Sequence, residues 1–566
     1  MKKIAEKRIA LVLAFLLVIS NLVACTNSSA TNATAKEEST AQKEALGKNL
    51  DLRVSVGSEP QTMDPQLNRM ADTSMILQTL FEGLMTFRDL GNGKSDIVPG
   101  QIKEYTLSED GLTYTFFLRD DIFWHDGQAV TAKDFVYAWR RLVNPDTAAE
   151  YSHVLEMVKN AKKIITGETD PQELGIEATD EKTLVVTLEV PCAYFLEICA
   201  FGVTAPTRQD MFEQYGEQWT QKKESYIGNG PYKMQTWMHN EKIVVEKSDT
   251  FYEYEQLGPD SITFVLMDDY NAMLNAFNNN ELDFVRNVPV DEIDRLKAEE
   301  KLKTVESLGT YYLSMNHTKA PFDDPRVREA FSLAIDRNFI VEQVTKTEQK
   351  PAGGFLPFGV FDENKKDFRE EVGDFYSVKL EDNEENGEKA RALLAEAGFP
   401  GGEGFPTVEY LYNTGDVHRK TAEALQEMWQ TVLGIKVTLA NQDWAIFLST
   451  LQDGDFQIAR DSWYADYHDP STFLNLFVST AGDGNNHPRY NNAQYDELME
   501  KASLEVDTAK RWEYLQEAEK IGMGESFIIP LYYYTASYLF NDRLEGLSST
   551  DLGYYFFTRV KNKLAN

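Results

Sequence analysis

Short β-rich segments alternate with amphipathic helical segments along most of this 566-residue chain. The β-rich segments are Thr113–Leu118, Thr183–Glu189, Lys242–Lys247, Ile262–Leu266 and Ile435–Ala440. The helical segments are Val327–Ile335, Ala390–Ala397, Thr421–Leu433, and one that a capping box at Thr131–Asp134 opens. Strands that alternate with helices in this way form layered α/β domains. No repeat of fixed period is visible, so we predict an α/β fold and exclude solenoids and propellers.

The amino terminus has the pattern of a bacterial lipoprotein signal peptide. Basic side chains within the first eight residues precede the apolar run 9–20, and Leu22-Val-Ala-Cys25 follows, which resembles a lipobox. We therefore predict a signal peptide over residues 1–24, acyl chains on Cys25, and a disordered polar tether over residues 25–49. An ordinary secretory peptide or a short anchor helix is the alternative. The lipoprotein interpretation places the protein outside the cytoplasm, anchored to the cell membrane.

The charge of the chain limits its partners. The sequence has 56 basic and 91 acidic side chains, a formal net charge of −35. A protein this anionic repels phosphate backbones, which excludes nucleic acid as a partner. Beyond residues 9–24 no apolar run is long enough to enter a bilayer, which excludes a polytopic membrane protein.

The sequence lacks the motifs of common enzymes. Its histidines form neither an i, i+4 pair nor HExxH, so we predict no metal site. Neither GxSxG nor a GxGxxG after a strand occurs, so we predict no cofactor and no enzymatic activity. Gly91-Asn-Gly-Lys-Ser95 is not a phosphate loop, because the earlier glycine is replaced by Arg88. A glycosidase with dispersed carboxylates is the enzymatic alternative that stays open.

Two cysteines follow Cys25, namely Cys192 and Cys199. On a continuous helix this spacing separates their Cα atoms by about 10 Å, which is too far for a disulfide bond. We favour two packed thiols, and a bond formed in an oxidising compartment is the alternative.

Three neighbouring motifs carry a resemblance to a known family: Gly111–Arg119 (GLTYTFFLR), Asp121–Gly127 (DIFWHDG) and Val130–Trp139 (VTAKDFVYAW). Five further stretches keep the order of that family, namely Ser58–Pro65, Leu80–Leu84, Gly228–Tyr232, Pro321–Arg328 and Trp463–Tyr467. From about residue 50 to the carboxyl terminus, the chain resembles the oligopeptide/dipeptide-type solute-binding proteins of ABC importers.

The resemblance implies a two-lobed periplasmic-binding-protein type II-like fold with three domains. Domain I would comprise residues 50–87, 211–309 and 531–566, domain II residues 88–210, and domain III residues 310–530. Chain crossings near 309 and 530 would form a hinge about which the lobes close on a ligand. The implied partners are short peptides and the transmembrane permease subunits of an ABC transporter, and the implied state is a monomer.

The resemblance also assigns the groups that hold the peptide. Asp466 would bind the ammonium at the amino terminus, since an enclosed charge needs a partner of opposite charge. Main-chain groups of Ser462 and Tyr464, with the opposite segment around Arg69 and Ala71, would pair with the peptide backbone as in β-strand addition. Such pairing tolerates many peptide sequences.

Two further sets of residues follow from the resemblance. Trp444, Trp463 and Tyr151 would line the side-chain pockets, although aromatic residues also serve as ordinary core. The cationic positions that bind the peptide carboxylate would be Arg460, which can grip it bidentately, and His418. A structural salt bridge at Arg460 and a surface role for His418 are the alternatives.

Other functions are compatible with the sequence. The same fold could be tuned to a signalling peptide or a non-peptide solute, because fold does not fix ligand. A surface adhesin or a chaperone-like protein is the alternative from a different functional class.

Overall fold

The computed structural model describes residues 50–89 and 95–563. The predicted signal peptide, the lipidation site Cys25 and the predicted tether therefore lie outside the described residues, as does most of Gly91–Ser95.

The strands are β1 Asp51–Val56, β2 Met85–Asp89, β3 Ser95–Pro99, β4 Ile102–Leu107, β5 Thr113–Leu118, β6 Ile176–Ala178, β7 Thr183–Thr187, β8 Tyr232–Met238, β9 Lys242–Lys247, β10 Ser261–Leu266, β11 Phe284–Arg286, β12 Leu302–Met315, β13 Lys350–Pro351, β14 Val408–Asn413, β15 Val437–Gln442, β16 Ile458–Tyr464, β17 Ile528–Phe540, β18 Leu544–Glu545, β19 Ser548–Ser549, β20 Tyr555–Phe556 and β21 Lys561–Asn562.

The helices are α1 Ala71–Leu80, α2 Ala132–Val143, α3 Ala161–Ile165, α4 Phe195–Ile198, α5 Gln209–Tyr215, α6 Tyr270–Asn278, α7 Ile293–Ala298, α8 Pro325–Leu333, α9 Arg337–Phe339, α10 Phe368–Val372, α11 Asn383–Glu396, α12 Asp416–Leu433, α13 Trp444–Asp453, α14 Ser471–Leu474, α15 Ala493–Leu504 and α16 Thr508–Gly524.

The predicted elements form where the sequence patterns place them. The capping box is present, with the carboxylate of Asp134 accepting from the N–H and the hydroxyl of Thr131 at the start of α2. Helix α12 ends at Gly434, whose left-handed conformation (φ 71°) suits a residue without a Cβ. The predicted strand after it begins two residues later than expected, at Val437. These helices and strands confirm the predicted α/β class.

An 11-stranded sheet runs through the compact unit formed by residues 51–561. Its order is β15-β14-β16-β12-β17-β11-β1-β10-β9-β8, with β13 paired to β17. The long antiparallel strands β12 and β17 lie at its centre, and their register shifts between Glu306 and Thr310. A separate antiparallel sheet, β4-β5-β7-β6, lies within the segment predicted as domain II. The domain boundaries themselves stay a prediction.

Side chains of β12 alternate between two hydrophobic cores. Tyr311, Leu313 and Met315 pack in a core with residues of α8, α11 and α12. Tyr312 packs in another core with residues of α14, α15 and α16. Because successive strand residues point to opposite faces, helices cover both faces of the sheet in this region.

Cys192 and Cys199 are both buried free thiols, as the spacing favoured. Among the described ranges, the helices are all too short or too polar to traverse a bilayer.

Candidate ligand-binding site

A cavity of about 470 Å³ lies where segments assigned to all three predicted domains meet. Its walls include Arg69 and Ala71 from the start of α1, Tyr151 from the predicted domain II, and the end of β16 with the residues that follow it, Ser462–Asp466. Seven of the predicted site residues therefore meet around one cavity: Asp466, Ser462, Tyr464, Arg69, Ala71, Trp463 and Tyr151.

Asp466 is held at the cavity by its backbone. It follows β16, its N–H donates to the hydroxyl of Thr472 at 3.1 Å, and the N–H of the preceding Ala465 donates to the carbonyl of Leu308 at 2.8 Å. Within the described part of the chain, no side chain forms a hydrogen bond or ion pair with its carboxylate. Burial raises the pKa of this carboxyl group to about 7. The site thus holds a costly anion that a ligand cation would stabilise.

Aromatic side chains surround this carboxylate. Burial, and then the charge of Asp466, raise the pKa values of the Tyr151 and Tyr554 phenols. The ring of Tyr151 also packs edge-on against Phe201 at 5.4 Å. Trp463 completes this part of the lining and donates its indole N–H to Thr472 at 3.4 Å. These apolar walls explain why Asp466 is poorly solvated.

Strand β16 presents a free edge to the cavity. On one side it pairs with β12 from Gly309↔Tyr464 to Met315↔Ile458, whereas on the other side β14 pairs only with Ile458 and Ala459. No described strand pairs with residues 460–464 along that second edge. An open strand edge of this kind can accept one more extended chain.

The main chain of Ser462 and Tyr464 points toward the free edge. The N–H of Ser462 donates to the carboxylate of Asp461 at 2.9 Å, whereas the N–H of Ala465 bonds to Leu308 of β12. Main-chain groups alternate in direction along an antiparallel strand, so Ser462 and Tyr464 share the orientation away from β12. The wall opposite β16 is not an extended strand, because Ala71 is the first residue of α1. The Arg69 side chain donates hydrogen bonds to the side chains of Glu150 and Gln61.

Arg460 is a buried cation that forms no ion pair within the described residues. The residue is 7% exposed, and no described carboxylate lies within ion-pair distance of its guanidinium. Its Nε has no hydrogen-bond partner among the described residues. The guanidinium lies over the rings of Tyr311 at 5.4 Å and Trp444 at 5.8 Å. Burial opposes its charge, but neighbouring Tyr534, Tyr311 and Asp461 outweigh burial and raise its pKa. The alternative of a structural salt bridge therefore finds no support in the described residues.

His418 lies beside Arg460 but carries no charge at neutral pH. It is in the first turn of α12, and its Nδ1 is 3.3 Å from the hydroxyl of Tyr311. Burial, and then the charge of Arg460, lower its pKa to about 3. The sequence interpretation treated His418 as a cationic position, whereas the neutral ring can serve a carboxylate only as an N–H donor.

Trp444 belongs to the Arg460 cluster rather than to the cavity lining. It is 53% exposed at the start of α13 and stacks on Phe447 at 6.0 Å. The predicted pocket residues therefore divide into two groups, with Tyr151 and Trp463 at the Asp466 cavity and Trp444 over Arg460.

Sequence reasoning missed a second carboxyl group at the cavity. Glu82 accepts hydrogen bonds from Gln101 at 2.6 Å and from the hydroxyl of Tyr252 at 3.0 Å, and burial raises its pKa to about 7. The sequence feature that could have identified Glu82 is the placement of a carboxylate within the apolar stretch Leu80–Leu84. No group of three or more His, Cys, Asp or Glu side chains in the described ranges is arranged to hold a metal ion.

Comparisons with known proteins agree with this architecture. The family model of bacterial extracellular solute-binding proteins, family 5 (middle), matches residues 96–485. The oligopeptide-binding protein OppA of Bacillus subtilis is 31% identical over 91% of this chain and 93% of its own length.

Solved structures extend the likeness to three dimensions. A periplasmic oligopeptide-binding protein of Borrelia burgdorferi has a TM-score of 0.78 at 33% identity, covering 91% of this chain and all of that one. Haemophilus influenzae OppA in complex with the peptide RPPGFSPFR has a TM-score of 0.76 at 31% identity, covering 91% and 99%. The fold is accordingly of the periplasmic-binding-protein type II-like class. The chain belongs to family 5 of the bacterial extracellular solute-binding proteins, the oligopeptide/dipeptide-type family of ABC-transporter binding proteins.

Proposed function

We propose that this protein is a lipid-anchored, extracytoplasmic solute-binding protein of an ABC importer that captures short oligopeptides and delivers them to the permease. The uncompensated carboxylate of Asp466, facing an aromatic cavity, carries this proposal. A peptide ammonium would supply the missing charge, and the aromatic walls would exclude the water that otherwise competes for it.

Arg460 would supply the second charge, which is opposite in sign to that of Asp466. Arg460 and Tyr464 are four residues apart on β16, which separates their Cα atoms by about 14 Å, and Asp466 follows two residues later. An extended peptide advances ~3.3–3.6 Å per residue, so about four residues match the ~14 Å between the Cα atoms of Arg460 and Tyr464. The peptide ammonium would bind Asp466 and its carboxylate Arg460, with His418 as a neutral donor.

The free edge of β16 supports binding that tolerates many peptide sequences. Main-chain groups of Ser462 and Tyr464 would pair with the peptide backbone, so the side chains of the peptide contribute little to this pairing. On the opposite wall, the start of α1 at Ala71 would offer an N–H group. Tyr151, Trp463 and Trp444 would contact the side chains of the peptide.

Closure and anchoring complete the proposal. Strands β12 and β17 would carry the hinge between the predicted lobes near residues 309 and 530, and the protein would act as a monomer. Acylation of Cys25 would hold it at the membrane beside the permease. The relatives named OppA are oligopeptide-binding proteins, which supports transport rather than adhesion or chaperoning.

Titration calorimetry with matched peptides tests the proposal. The mature protein should bind free tri- to pentapeptides, and acetylation of the peptide amine should weaken binding by about 1.5–3 kcal/mol, which is roughly ten- to a hundredfold or more in Kd. Asp466→Asn should remove that difference, whereas the exposed Asp120→Asn should preserve it. Equal affinities of wild-type protein for free and acetylated peptides would contradict the role of Asp466.

A further inference from the structure

The segment Asp466–Asp469 contacts three different parts of the chain with consecutive side chains. Tyr467 stacks on Tyr194, with ring centroids 4.0 Å apart and planes within 2°. His468 lies between Glu197 and Asp551, and Asp469 pairs with Arg511 at 2.7 and 2.8 Å. The segment that presents Asp466 to the cavity is therefore fixed from several directions.

His468 is bound at both nitrogens of its ring. Nδ1 lies 3.1 Å from Oε2 of Glu197, and Nε2 lies 2.9 Å from Oδ1 of Asp551. The backbone N–H of His468 donates to the same Glu197 oxygen at 2.6 Å. Carboxylates accept hydrogen bonds, so contacts at both nitrogens favour the doubly protonated imidazolium. Burial lowers the pKa of His468, but its hydrogen bonds with Asp551 and Glu197 outweigh burial and raise the pKa to about 10.

The two carboxylates occupy both hydrogen-bond donors of this imidazolium ring. Both ring N–H groups are engaged, so neither remains for Asp466, two residues earlier. The pKa of Asp466 reflects burial alone. Burial, and then the charges of Asp466, Tyr151 and Glu197, raise the pKa of the Tyr554 phenol. His468 thus orders the segment without neutralising the anion that faces the cavity.

One partner of His468, Asp551, is itself anchored next to Asp466 through Leu308 and Ala465. The carbonyl of Asp551 accepts from the N–H of Leu308 at 2.7 Å, and the carbonyl of Leu308 accepts from the N–H of Ala465 at 2.8 Å. Glu197 lies in α4, in the segment predicted as domain II, and Asp551 lies in the carboxyl-terminal segment predicted as domain I. Asp466 is therefore bracketed by connections through Ala465 on one side and His468 on the other.

We propose, on the basis of the function proposed above, that His468 is a positioning residue for peptide recognition: by joining Glu197 to Asp551 it orients Asp466 toward the peptide ammonium. It touches no ligand itself. The residue sets the discrimination between free and blocked amino termini, because that discrimination depends on where the Asp466 carboxylate lies.

The test compares free and N-acetylated tripeptides on three variants by titration calorimetry. His468→Asn should raise Kd for the free peptide at least tenfold and leave Kd for the acetylated peptide within about twofold. His468→Arg, which keeps a planar cation able to reach both carboxylates, should recover most of the lost discrimination. His239→Asn, which breaks an exposed pair with Glu59 of 2.7 Å, is the matched control and should behave as wild type.

Failure of this inference is distinguishable from failure of the proposed function. If Asp466→Asn abolishes discrimination but His468→Asn preserves it, or if His468→Asn weakens both peptides equally, the positioning role is wrong and the function stands. If the wild-type protein does not discriminate, the function itself fails. If circular dichroism shows that His468→Asn does not fold, Glu197→Gln is measured instead, because it removes one of the two carboxylates that bind His468. Its Kd values for the free and the acetylated peptide then decide in the same way.

Discussion

The hydroxyl of Thr472 accepts both the backbone N–H of Asp466, at 3.1 Å, and the indole N–H of Trp463, at 3.4 Å. One buried oxygen therefore holds two of the residues that line the cavity. Its loss would leave both donors without an acceptor next to the group that we propose binds the peptide ammonium.

Thr472→Val should therefore destabilise the protein and weaken peptide binding. The substitution keeps the shape of the side chain and removes the acceptor, at a cost of about 1–3 kcal/mol. Chemical denaturation would measure the stability, and calorimetry the affinity. Thr472→Ser keeps the hydroxyl and should remain close to wild type in both; a Val variant with unchanged stability would contradict the role of this oxygen.

Peptide affinity should fall as the pH is lowered from 7 toward 5. The ammonium binds the ionised form of Asp466, whose pKa is about 7 in the free protein, so binding below pH 7 must release a proton. The loss approaches tenfold per pH unit. His418, with a pKa of about 3, and His468, with a pKa of about 10, do not titrate in this range.

Calorimetry in buffers of different ionisation enthalpy would count the released protons at pH 6. The Asp466→Asn variant is the control and should lose this proton release, so any pH dependence that it keeps between 5 and 7 belongs to Glu82, the other carboxyl group of the cavity with a pKa of about 7. A wild-type affinity that is flat over this range would show that Asp466 is not the group that binds the amine.

Without ligand, Asp466→Asn should stabilise the protein at pH 8. The folded pKa of about 7 lies above the value near 3.9 of an unfolded Asp, so the folded state binds more protons between pH 4 and 7. Wild-type stability therefore falls relative to the variant as pH rises through this window, and the difference persists above it.

The side chain retains some contact with solvent, so we expect a gain of about 1–3 kcal/mol at pH 8 and little at pH 4. Urea unfolding of the ligand-free proteins at both pH values would measure it. Asp120→Asn, on the exposed surface, should show no such difference. A variant less stable than wild type at pH 8 would indicate that Asp466 has a stabilising partner.

Arg460→Gln should weaken binding of free-acid peptides and spare peptides with an amidated carboxyl terminus. The guanidinium is buried and forms no ion pair with a described carboxylate, so a peptide carboxylate would be its direct ion-pair partner. We expect a loss of about 1.5–3 kcal/mol for the free acid. Arg295→Gln, which removes exposed pairs with Glu292 and Glu299, controls for net charge. An equal response of both peptide forms would contradict the assignment.

Local patterns in the sequence predicted much of the fold. The capping box before α2 and the glycine after α12 are signals within a few residues, and the structure confirms both. The start of α12 was missed, because its first residues, Asp416–Lys420, are polar apart from Val417 and show no apolar period. The element was predicted from its buried face, which begins at Thr421.

The protonation states of the site residues depend on contacts between residues that are far apart in the sequence, which no local pattern contains. Burial, and then the charge of Arg460, keep His418 neutral, and these two residues are far apart in the chain. Glu197 and His468 are separated by 271 residues, and His468 and Asp551 by 83. The motif Trp463–Tyr467 identified Asp466, but the absence of a described partner for its carboxylate emerges only from the packed structure.

The alternation of β16 restricts how this binding site could evolve. Arg460, Ser462 and Tyr464 share one face because a strand repeats every two residues. Inserting a single residue between Arg460 and Ser462 would turn the guanidinium away from the ring of Tyr311 to the opposite face of the sheet, which carries Asp461 and Tyr312. Adaptation to longer or shorter cargo along this strand must therefore proceed in jumps of two residues, about 7 Å at a time, or by moving the cation to another element.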